Sequence, residues 1–361
     1  MATVRTGTDD RTSPLSGQIW FGDWLLRVPT SVWVVGFILL ILPAITNDFI
    51  LVQIFGWSFI LGMIALSLMF LAGYGGMVSL VQMTVAGCAA YMVAIFGHSA
   101  ITDISLGWPW WLAIPVAILI ATLFGTLSGA LAVRTEGIYT IMITLAIAAG
   151  FFYFTRQNYV VFNGFAGFNG IRPPVVLGID WRAPVPFYYL ILFWAALSYA
   201  LVVYVARSPF GLALQGIRDN ARRMEALGFN VTAHRIAACS FASVIAAIAG
   251  IHLVWMNSQV SPGTAGIGPV IDILVIAVVG GLGRPIGAFV GALIYVVLRT
   301  FALDALVAVG LDGARFQLLI GLGFLLIVFF SPDGVLGLWT RARERWRRAQ
   351  DPMRVPDEGT R

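Results

Sequence analysis

The chain has 361 residues, of which 59% are hydrophobic and 11% are charged, with a formal net charge of +5. Charged residues make up about a quarter of an ordinary soluble domain, so this composition excludes a soluble globular protein. All 22 basic residues are arginines, because lysine is absent. Without lysine the chain has neither a G-x-x-x-x-G-K-[ST] phosphate-binding loop nor a Schiff-base lysine. Any ATP hydrolysis that drives this protein must therefore occur on another chain.

Apolar stretches recur along the chain and are separated by short polar segments. A helix needs about 20 mostly apolar residues to cross a bilayer. We therefore predict an all-α, polytopic helical membrane protein with about ten transmembrane segments, some of them short or broken. The segments are expected near residues 30–46, 49–71, 77–97, 109–133, 137–155, 185–206, 235–256, 269–283, 285–303 and 313–330.

An even number of transmembrane segments places both termini on the same side of the membrane. The positions of the arginines predict which side that is. With both termini in the cytoplasm, 17 of the 22 arginines are cytoplasmic, as the positive-inside rule requires. The opposite side keeps Arg156, Arg172, Arg182, Arg299 and Arg315. We predict a cytoplasmic N-terminal segment at 1–29, a membrane domain at 30–335 and a basic cytoplasmic tail at 336–361.

The positions of the arginines also indicate which kind of molecule they contact. They flank apolar segments and do not form a basic domain with interleaved aromatic residues, as nucleic-acid binding would require. The run Arg341–Arg348 is a basic flank suited to anionic lipid. We therefore expect contact with membrane lipid and no nucleic-acid partner.

Groups that could perform catalysis or hold a metal are not clustered in the sequence. His98, His234 and His252 are far apart, and there is no H-E-x-x-H motif. Cys88 and Cys239 lie inside apolar segments, where we expect them to act as small packing residues. We predict that this chain is not an enzyme and that it binds no metal and no cofactor of its own.

The longest predicted cytoplasmic connection, residues 207–235, has a helical pattern of its own. Ser208-Pro209 predicts a helix start and Gly228 a helix end. Apolar residues recur between them at helical spacing at Leu214, Ile217, Ala221 and Met224, and the polar side carries Arg218, Asp219, Arg222 and Glu225. Such a helix can lie on lipid head groups or fit a groove on a partner protein, and the pattern alone favours neither.

Two glycine-rich breaks, Gly73–Gly76 and Gly280–Pro285, interrupt the apolar segments. Backbone groups freed at such breaks must face protein or water. Gly283, Gly287 and Gly291 stand four residues apart, which is typical of a face for close helix packing. We predict helix breaks or packing contacts at Gly75, Gly76, Gly280, Gly281, Gly283, Gly287 and Gly291.

Asp272 is the acidic residue that we place well inside a predicted span, near its outer end. A charge inside a membrane is costly and is therefore a functional hypothesis by default. One acidic residue does not make a proton relay, which lowers the case for a proton-coupled transporter. Asp272 can serve transport, or it can be a structural residue bonded to a neighbouring helix.

Three stretches of the chain resemble one family of membrane proteins. They are GYGGMVSLVQMTVAGCAAY at Gly73–Tyr91, RTEGIYTIMITLAIA at Arg134–Ala148, and above all Ser208–Thr300. The last contains SPFGLALQGIRDNARRMEALGFNV and then SPGTAGIGPVIDILVIAVVGGLGRPIGAFVGAL. These stretches resemble the LivM-type permeases of branched-chain amino acid ABC transporters, and the resemblance covers about residues 50–335.

The resemblance implies an integral subunit of an ATP-driven importer in the bacterial cytoplasmic (inner) membrane. Its implied partners are a second, homologous permease of the LivH type, two cytosolic ATP-binding subunits that use ATP and magnesium, and an extracytoplasmic substrate-binding protein. It also implies that segment 207–235 is the coupling loop that docks on the ATPase. The coupling residues are then Leu214, Ile217, Arg218, Arg222, Met224, Glu225, Ala226, Leu227 and Gly228, with Leu214, Ile217, Met224 and Leu227 filling the ATPase groove.

We therefore hypothesise a subunit that moves leucine, isoleucine or valine by alternating access. Because the binding protein supplies affinity, the path needs only weak sites, and its lining is expected to include Ser79, Gln82, Thr84, Tyr139, Thr144 and Asp272. The alternatives are a self-contained secondary transporter or channel for a small polar solute, with the amphipathic helix on lipid, and a related ABC permease for urea or short amides.

Overall fold

The computed structural model of the protein describes residues 30–135, 137–175, 178, 180–308, 334, 335 and 337. Predicted segment 1–29, predicted span 313–330 and, apart from residue 337, predicted tail 336–361 lie outside the described residues. The described chain is built almost entirely from helices, which confirms the predicted all-α membrane fold.

The chain divides into two units, at residues 1–46 and 47–361. The described part of the first unit is helix α1 (Thr30–Ile45), which is apolar and contains Pro43. The second unit holds α2 (Trp57–Met69), α3 (Gln82–Phe96), α4 (Trp110–Ala132), α5 (Ile138–Gln157), α6 (Tyr159–Phe162), α7 (Pro184–Arg207), α8 (Pro209–Ala226), α9 (Val231–Asn257), α10 (Ile267–Gly280) and α11 (Pro285–Ala308).

Helix α2 is the centre of the second unit. Wider π-helical turns, Ile50–Gly56 and Phe70–Tyr74, continue it at both ends, and α3, α7, α9, α10 and α11 pack around it. A helix that is apolar on all sides belongs in an interior. Its two serines hydrogen-bond within the helix, with Ser58 Oγ 2.6 Å from the Ile54 carbonyl oxygen and Ser67 Oγ 2.6 Å from that of Ile64. Polar groups inside a membrane must form their hydrogen bonds within the protein, because no water is present there to replace them.

Helices α3, α4 and α9 pack closely because small residues face one another. A Cβ added at Gly125 would overlap the Ser243 hydroxyl, and one at Gly129 would lie 2.5 Å from the Cβ of Cys239. At Gly250 an added Cβ would overlap the carbonyl oxygen of Ala86. Contacts between small residues let membrane helices approach closely, so van der Waals packing replaces the hydrophobic effect there.

Within the described residues, five helical segments are long and apolar enough to cross a bilayer, at Ile50–Tyr74, Trp110–Ala132, Ile138–Gln157, Pro184–Arg207 and Val231–Asn257. Helices α10 and α11 form a pair bent by 118°, which makes six segments if the pair is one span. The 14 residues of α10 extend about 21 Å, less than the roughly 30 Å hydrocarbon core. The expected eighth span is therefore one of the short, broken elements.

A two-stranded antiparallel pair joins two loops that are far apart in sequence. Strand β1 (Phe168–Asn169) pairs with β2 (Gln259–Val260), with Phe168 opposite Val260. The pair ties the loop after α6 to the loop after α9. Tyr91 of α3 lies beneath it, with its ring 6.2 Å from that of Phe168 and 5.3 Å from that of Phe162. We call this end of the second unit the β end.

Gly250→Ala is expected to destabilise the protein by about 1–3 kcal/mol, because the new methyl group meets backbone that cannot move without displacing α3. The melting temperature in detergent measures this loss. Gly150→Ala in α5 is the matched control, since an added Cβ there meets nothing within 4 Å. Equal losses for the two variants would contradict the packing account.

Candidate functional site

Helix α8 begins and ends where the sequence predicts. Ser208 caps its start, with its hydroxyl oxygen accepting a hydrogen bond from the Gly211 N–H at 3.3 Å, and Pro209 occupies the first turn. At the other end Gly228 has φ +90°. The Gly228 N–H donates to the Glu225 carbonyl at 2.9 Å and the Phe229 N–H to the Met224 carbonyl at 3.1 Å, which is the glycine-terminated Schellman arrangement.

The helix is not continuous, a feature that the hydrophobic pattern does not reveal. Asn220 has non-helical backbone angles, φ −158° and ψ 95°. Its side-chain oxygen accepts a hydrogen bond from the Arg223 N–H at 3.0 Å, as at the N-cap of a new helix. Residues 221–226 thus form a short second helix, separated from the first by a kink at Asn220.

The predicted apolar face of α8 divides into an inner and an outer part. Leu214 and Ile217 are buried inside this chain, so the expectation that they fill a groove on the ATPase is wrong. Within α8 and the three residues that follow it, the large apolar side chains that remain exposed are Leu212, Leu227 and Phe229, at 61%, 67% and 39%. Met224 is half-buried and lies close to Gly216. Arg222, Glu225, Ala226 and Gly228 are exposed beside Leu227.

Arg218 attaches α8 to the end of the central helix. Its Nη1 donates to the carbonyl oxygen of Gly73, in the first glycine-rich break, and its Nη2 lies 2.9 Å from the Asp219 carboxylate. Its aliphatic stem covers Gly76, where φ is +65° and where an added Cβ would lie 2.7 Å from Arg218 Cγ. A larger residue at Gly76 would therefore be strained and would also displace the arginine.

The two glycine-rich breaks touch each other beside this attachment. A Cβ at Gly73 would overlap the carbonyl oxygen of Leu282, in the second break. Between them and α8 lies a cavity of about 530 Å³, whose polar walls are Tyr74, Tyr199, Arg207, Gln215 and Arg284. The set formed by Gly73–Gly76, Gly280–Pro285 and α8 is called the junction below.

The second glycine-rich break packs by direct backbone contact. Of the predicted packing face of Gly283, Gly287 and Gly291, however, Gly283 takes no part. Added Cβ atoms at Gly280 and Gly291 would overlap the carbonyl oxygens of Gly287 and Ile276, respectively. Gly281, at φ +100°, turns the chain from α10 toward α11. Gly283 precedes the start of α11 and has nothing within 4 Å of its Cβ position, so its expected place on the face with Gly287 and Gly291 is wrong.

Four of the six predicted path residues cluster where α3 begins inside the protein. The chain turns at Gly75 and continues in irregular backbone to a second turn before α3, and Ser79, Gln82 and Thr84 are buried there. The Leu80 N–H donates to Thr144 Oγ1 of α5 at 3.1 Å, and Ser67 Oγ lies 3.2 Å from Gln82 Oε1. The buried Thr84 hydroxyl has no hydrogen-bond partner in the described part of the chain.

The other two predicted path residues lie elsewhere. Tyr139 is 66% exposed at the start of α5. Asp272 is half-buried and lines a second cavity, of about 200 Å³, together with Met83, Tyr295 and Arg299. We call this the outer cavity because Asn257, the last residue of α9 and next to the β end, also lines it. Tyr295 and Arg299 are four residues apart, a spacing that shares one helix face and is visible in the sequence.

The histidines have structural surroundings. His252 is buried between Trp194 and Trp255, with ring centroids 6.2 and 5.6 Å away, and its Nδ1 lies 2.8 Å from the Ile248 carbonyl oxygen. His234 stacks on Phe210 at 5.6 Å. Across the residues that the structure describes, no group of three or more His, Cys, Asp or Glu could hold a metal ion.

Comparisons with known proteins agree on the class of membrane protein. The family model described as branched-chain amino acid transport system / permease component matches residues 50–329. The ribose import permease protein RbsC of Haemophilus influenzae is 26% identical over 68% of this chain and 75% of its own length. The high-affinity branched-chain amino acid transport system permease protein LivM of Salmonella typhimurium is 23% identical over 76% of this chain and 65% of its own length.

A third relative, the probable branched-chain amino acid transport permease protein LivM of Methanocaldococcus jannaschii, is 25% identical over 61% of this chain and 67% of its own length. No solved structure matches the chain. The family match covers most of the sequence and all of the second unit's helices described above. The chain therefore belongs to the family of branched-chain amino acid transport system permease components, and it is a multi-pass ABC transporter permease of the cytoplasmic membrane.

Proposed function

We propose that this chain is the permease subunit of an ATP-driven importer for the branched-chain amino acids leucine, isoleucine and valine. It forms part of the translocation path and couples to separate ATPase subunits. The observation that carries the proposal is the junction, where an amphipathic helix with an exposed outer part is attached to the first helix break, which in turn contacts the second. The LivM relatives support the amino acid class.

Coupling in this proposal is mechanical. The exposed residues Leu227 and Phe229, with Arg222 and Glu225 around them, bind a groove on an ATPase subunit. Leu214 and Ile217 hold α8 to the membrane domain, so a displacement of the helix is passed on and not absorbed. Through Arg218 the displacement reaches Gly73 and, through the contact with Leu282, the bend between α10 and α11.

The proposal includes the rest of the assembly. Both termini and α8 are cytoplasmic, with residues 1–29 and 336–361 forming the N-terminal segment and the basic tail. The chain holds no cofactor, and its two ATP-binding partners use ATP and magnesium. A second permease of the LivH type completes the path, and an extracytoplasmic binding protein delivers the substrate. The path runs past Ser79, Gln82, Thr84, Tyr139, Thr144 and Asp272.

A sugar importer is the second candidate, and one observation favours it. The relative with 26% identity is a ribose import permease. A sugar path needs many hydrogen-bond partners for neutral hydroxyl groups, whereas an amino acid path must accept one positive and one negative charge. Uptake measurements separate the two candidates directly.

We expect proteoliposomes that contain this chain with its co-purified subunits and binding protein to accumulate radiolabelled leucine only when ATP is supplied. Unlabelled isoleucine and valine should compete, whereas ribose and urea should not. ATP-dependent uptake of ribose without leucine would refute the amino acid proposal. Leucine transport by this chain alone would instead favour a secondary transporter.

Leu227→Ser and Glu225→Arg are expected to weaken ATPase association in pull-down assays while leaving the melting temperature unchanged, because both side chains are exposed. Leu214→Ala should instead destabilise the chain by about 2–5 kcal/mol, since it empties a fully buried position. The docking proposal fails if the exposed variants retain normal ATPase association.

Arg218→Ala is expected to keep ATPase association but to lower the amount of substrate imported per ATP hydrolysed, because α8 loses its bond to the first break. Uptake and phosphate release are measured in the same proteoliposomes. Arg182→Ala is the control, since Arg182 is an exposed arginine remote in sequence from the junction. An unchanged ratio of uptake to hydrolysis would contradict transmission through Arg218.

A further inference from the structure

The outer cavity is the strongest candidate for a ligand site that the proposed coupling does not use. Five helices supply its walls, because Leu61 belongs to α2, Met83 to α3, Leu253 to α9, Asp272 to α10 and Arg299 to α11. The space thus lies where the central helix meets the bent pair. Any change in the bend between α10 and α11 alters it, since Asp272 and Arg299 lie on opposite arms of that bend.

Opposite charges face this cavity without neutralising each other directly. Asp272 is half-buried and Arg299 is exposed, and both side chains line the cavity. No ion pair joins these two residues in the part of the chain that the structure describes. Tyr295, buried at 6% exposure, presents its hydroxyl beside the Asp272 carboxylate. The cavity therefore offers one anionic and one cationic group to a bound molecule.

The remaining walls are apolar, and the space is small. Leu61, Met83, Leu253 and Ile273 line it, so a compact aliphatic group can be buried beside the two charges. Its volume of about 200 Å³ is below the range of about 300–1,000 Å³ that suits drug-sized ligands. A molecule of a few carbon atoms with two opposite charges fits this combination.

We propose that the outer cavity binds the zwitterionic part of an α-amino acid, with Asp272 and Tyr295 receiving the ammonium group and Arg299 the carboxylate. The aliphatic side chain of the substrate then lies against Leu61, Met83, Leu253 and Ile273. This inference rests on the proposed function and adds to it the groups that recognise the substrate. The site binds its ligand weakly, because Arg299 is exposed and water partly screens its charge.

The charge arrangement selects against neutral solutes. A sugar or urea entering the cavity would displace water from Asp272 and Arg299 without supplying opposite charges, and burying unpaired charge is costly. A zwitterion satisfies both groups at once. The cavity thereby distinguishes amino acids from the pentose named for the Haemophilus relative.

The test uses the full chain in lipid nanodiscs with its co-purified membrane and ATPase subunits, and without the binding protein. Saturation-transfer NMR titrations follow L-leucine, 4-methylpentanoate, which lacks the ammonium group, 3-methylbutylamine, which lacks the carboxylate, and D-ribose. Asp272→Asn should weaken leucine and amine binding roughly tenfold and should not weaken the binding of 4-methylpentanoate. Arg299→Gln should weaken the binding of leucine and 4-methylpentanoate and should not weaken the binding of the amine.

Matched controls keep the result interpretable. Asp103→Asn and Arg182→Gln remove exposed charges of the same types and should change none of the titrations. Arg299→Lys should restore part of the carboxylate affinity, which a purely structural role would not do. Absence of saturable leucine binding to the wild type, ribose binding as tight as leucine binding, or equal weakening of all ligands by both variants would overturn the assignment.

Uptake separates this inference from the proposed function. ATP-dependent leucine uptake that is unaffected by Asp272→Asn and Arg299→Gln refutes the cavity assignment and leaves the importer intact. Absence of leucine uptake from an assembly that hydrolyses ATP and imports another solute refutes the proposed function itself.

Discussion

The close approach of two backbone segments at the junction is the constraint on which the rest of the arrangement depends. Gly73 lies directly against the carbonyl of Leu282, and this contact exists only because the first residue has no side chain. It holds the end of the central helix against the bend between α10 and α11. It also leaves the Gly73 carbonyl available to Arg218, so the amphipathic helix is attached at the same point.

Two long helices of the second unit connect the region of α8 with the β end and the outer cavity. Helix α9 runs from α8 to the β1–β2 pair, and α11 runs from the junction toward Arg299 in the outer cavity. Backbone contacts at Gly280 and Gly291 hold the two arms of the α10–α11 bend close together beside the turn. In the proposed mechanism, work done on α8 by the ATPase therefore reaches the outer cavity as a change in the relation between Asp272 and Arg299.

Sequence reasoning succeeds here where local chemistry decides the structure. Ser208, Pro209 and Gly228 define the limits of α8 because capping depends on residues within one turn. It fails where the outcome depends on what covers a surface. Helical spacing identifies Leu214 and Ile217 as apolar, but not whether this chain or a partner buries them. The four-residue spacing of Gly283, Gly287 and Gly291 is likewise periodic, yet the helix starts only at Pro285.

Other features of the site cannot be predicted from hydrophobic patterns in the sequence. Strands of two residues have no periodicity, so the link between the loops after α6 and α9 is invisible before folding. Asn220 interrupts α8 through a side-chain hydrogen bond that competes with the helix, which a hydrophobic pattern does not register. The outer cavity forms only where five helices converge. The i, i+4 spacing of Tyr295 and Arg299 is the one feature of its lining that the sequence indicates.

Site-specific crosslinking tests the central claim, that α8 is where the ATPase acts. A photoreactive amino acid replaces exposed Leu227, and in a control it replaces Phe165, which is 70% exposed near the β end. Both tagged proteins are crosslinked in native membranes, purified and examined by mass spectrometry. The account predicts an ATP-binding subunit joined to position 227 and absent from position 165. Crosslinks from position 227 to lipid alone, with an ATP-binding subunit captured at neither position or only at 165, would contradict it.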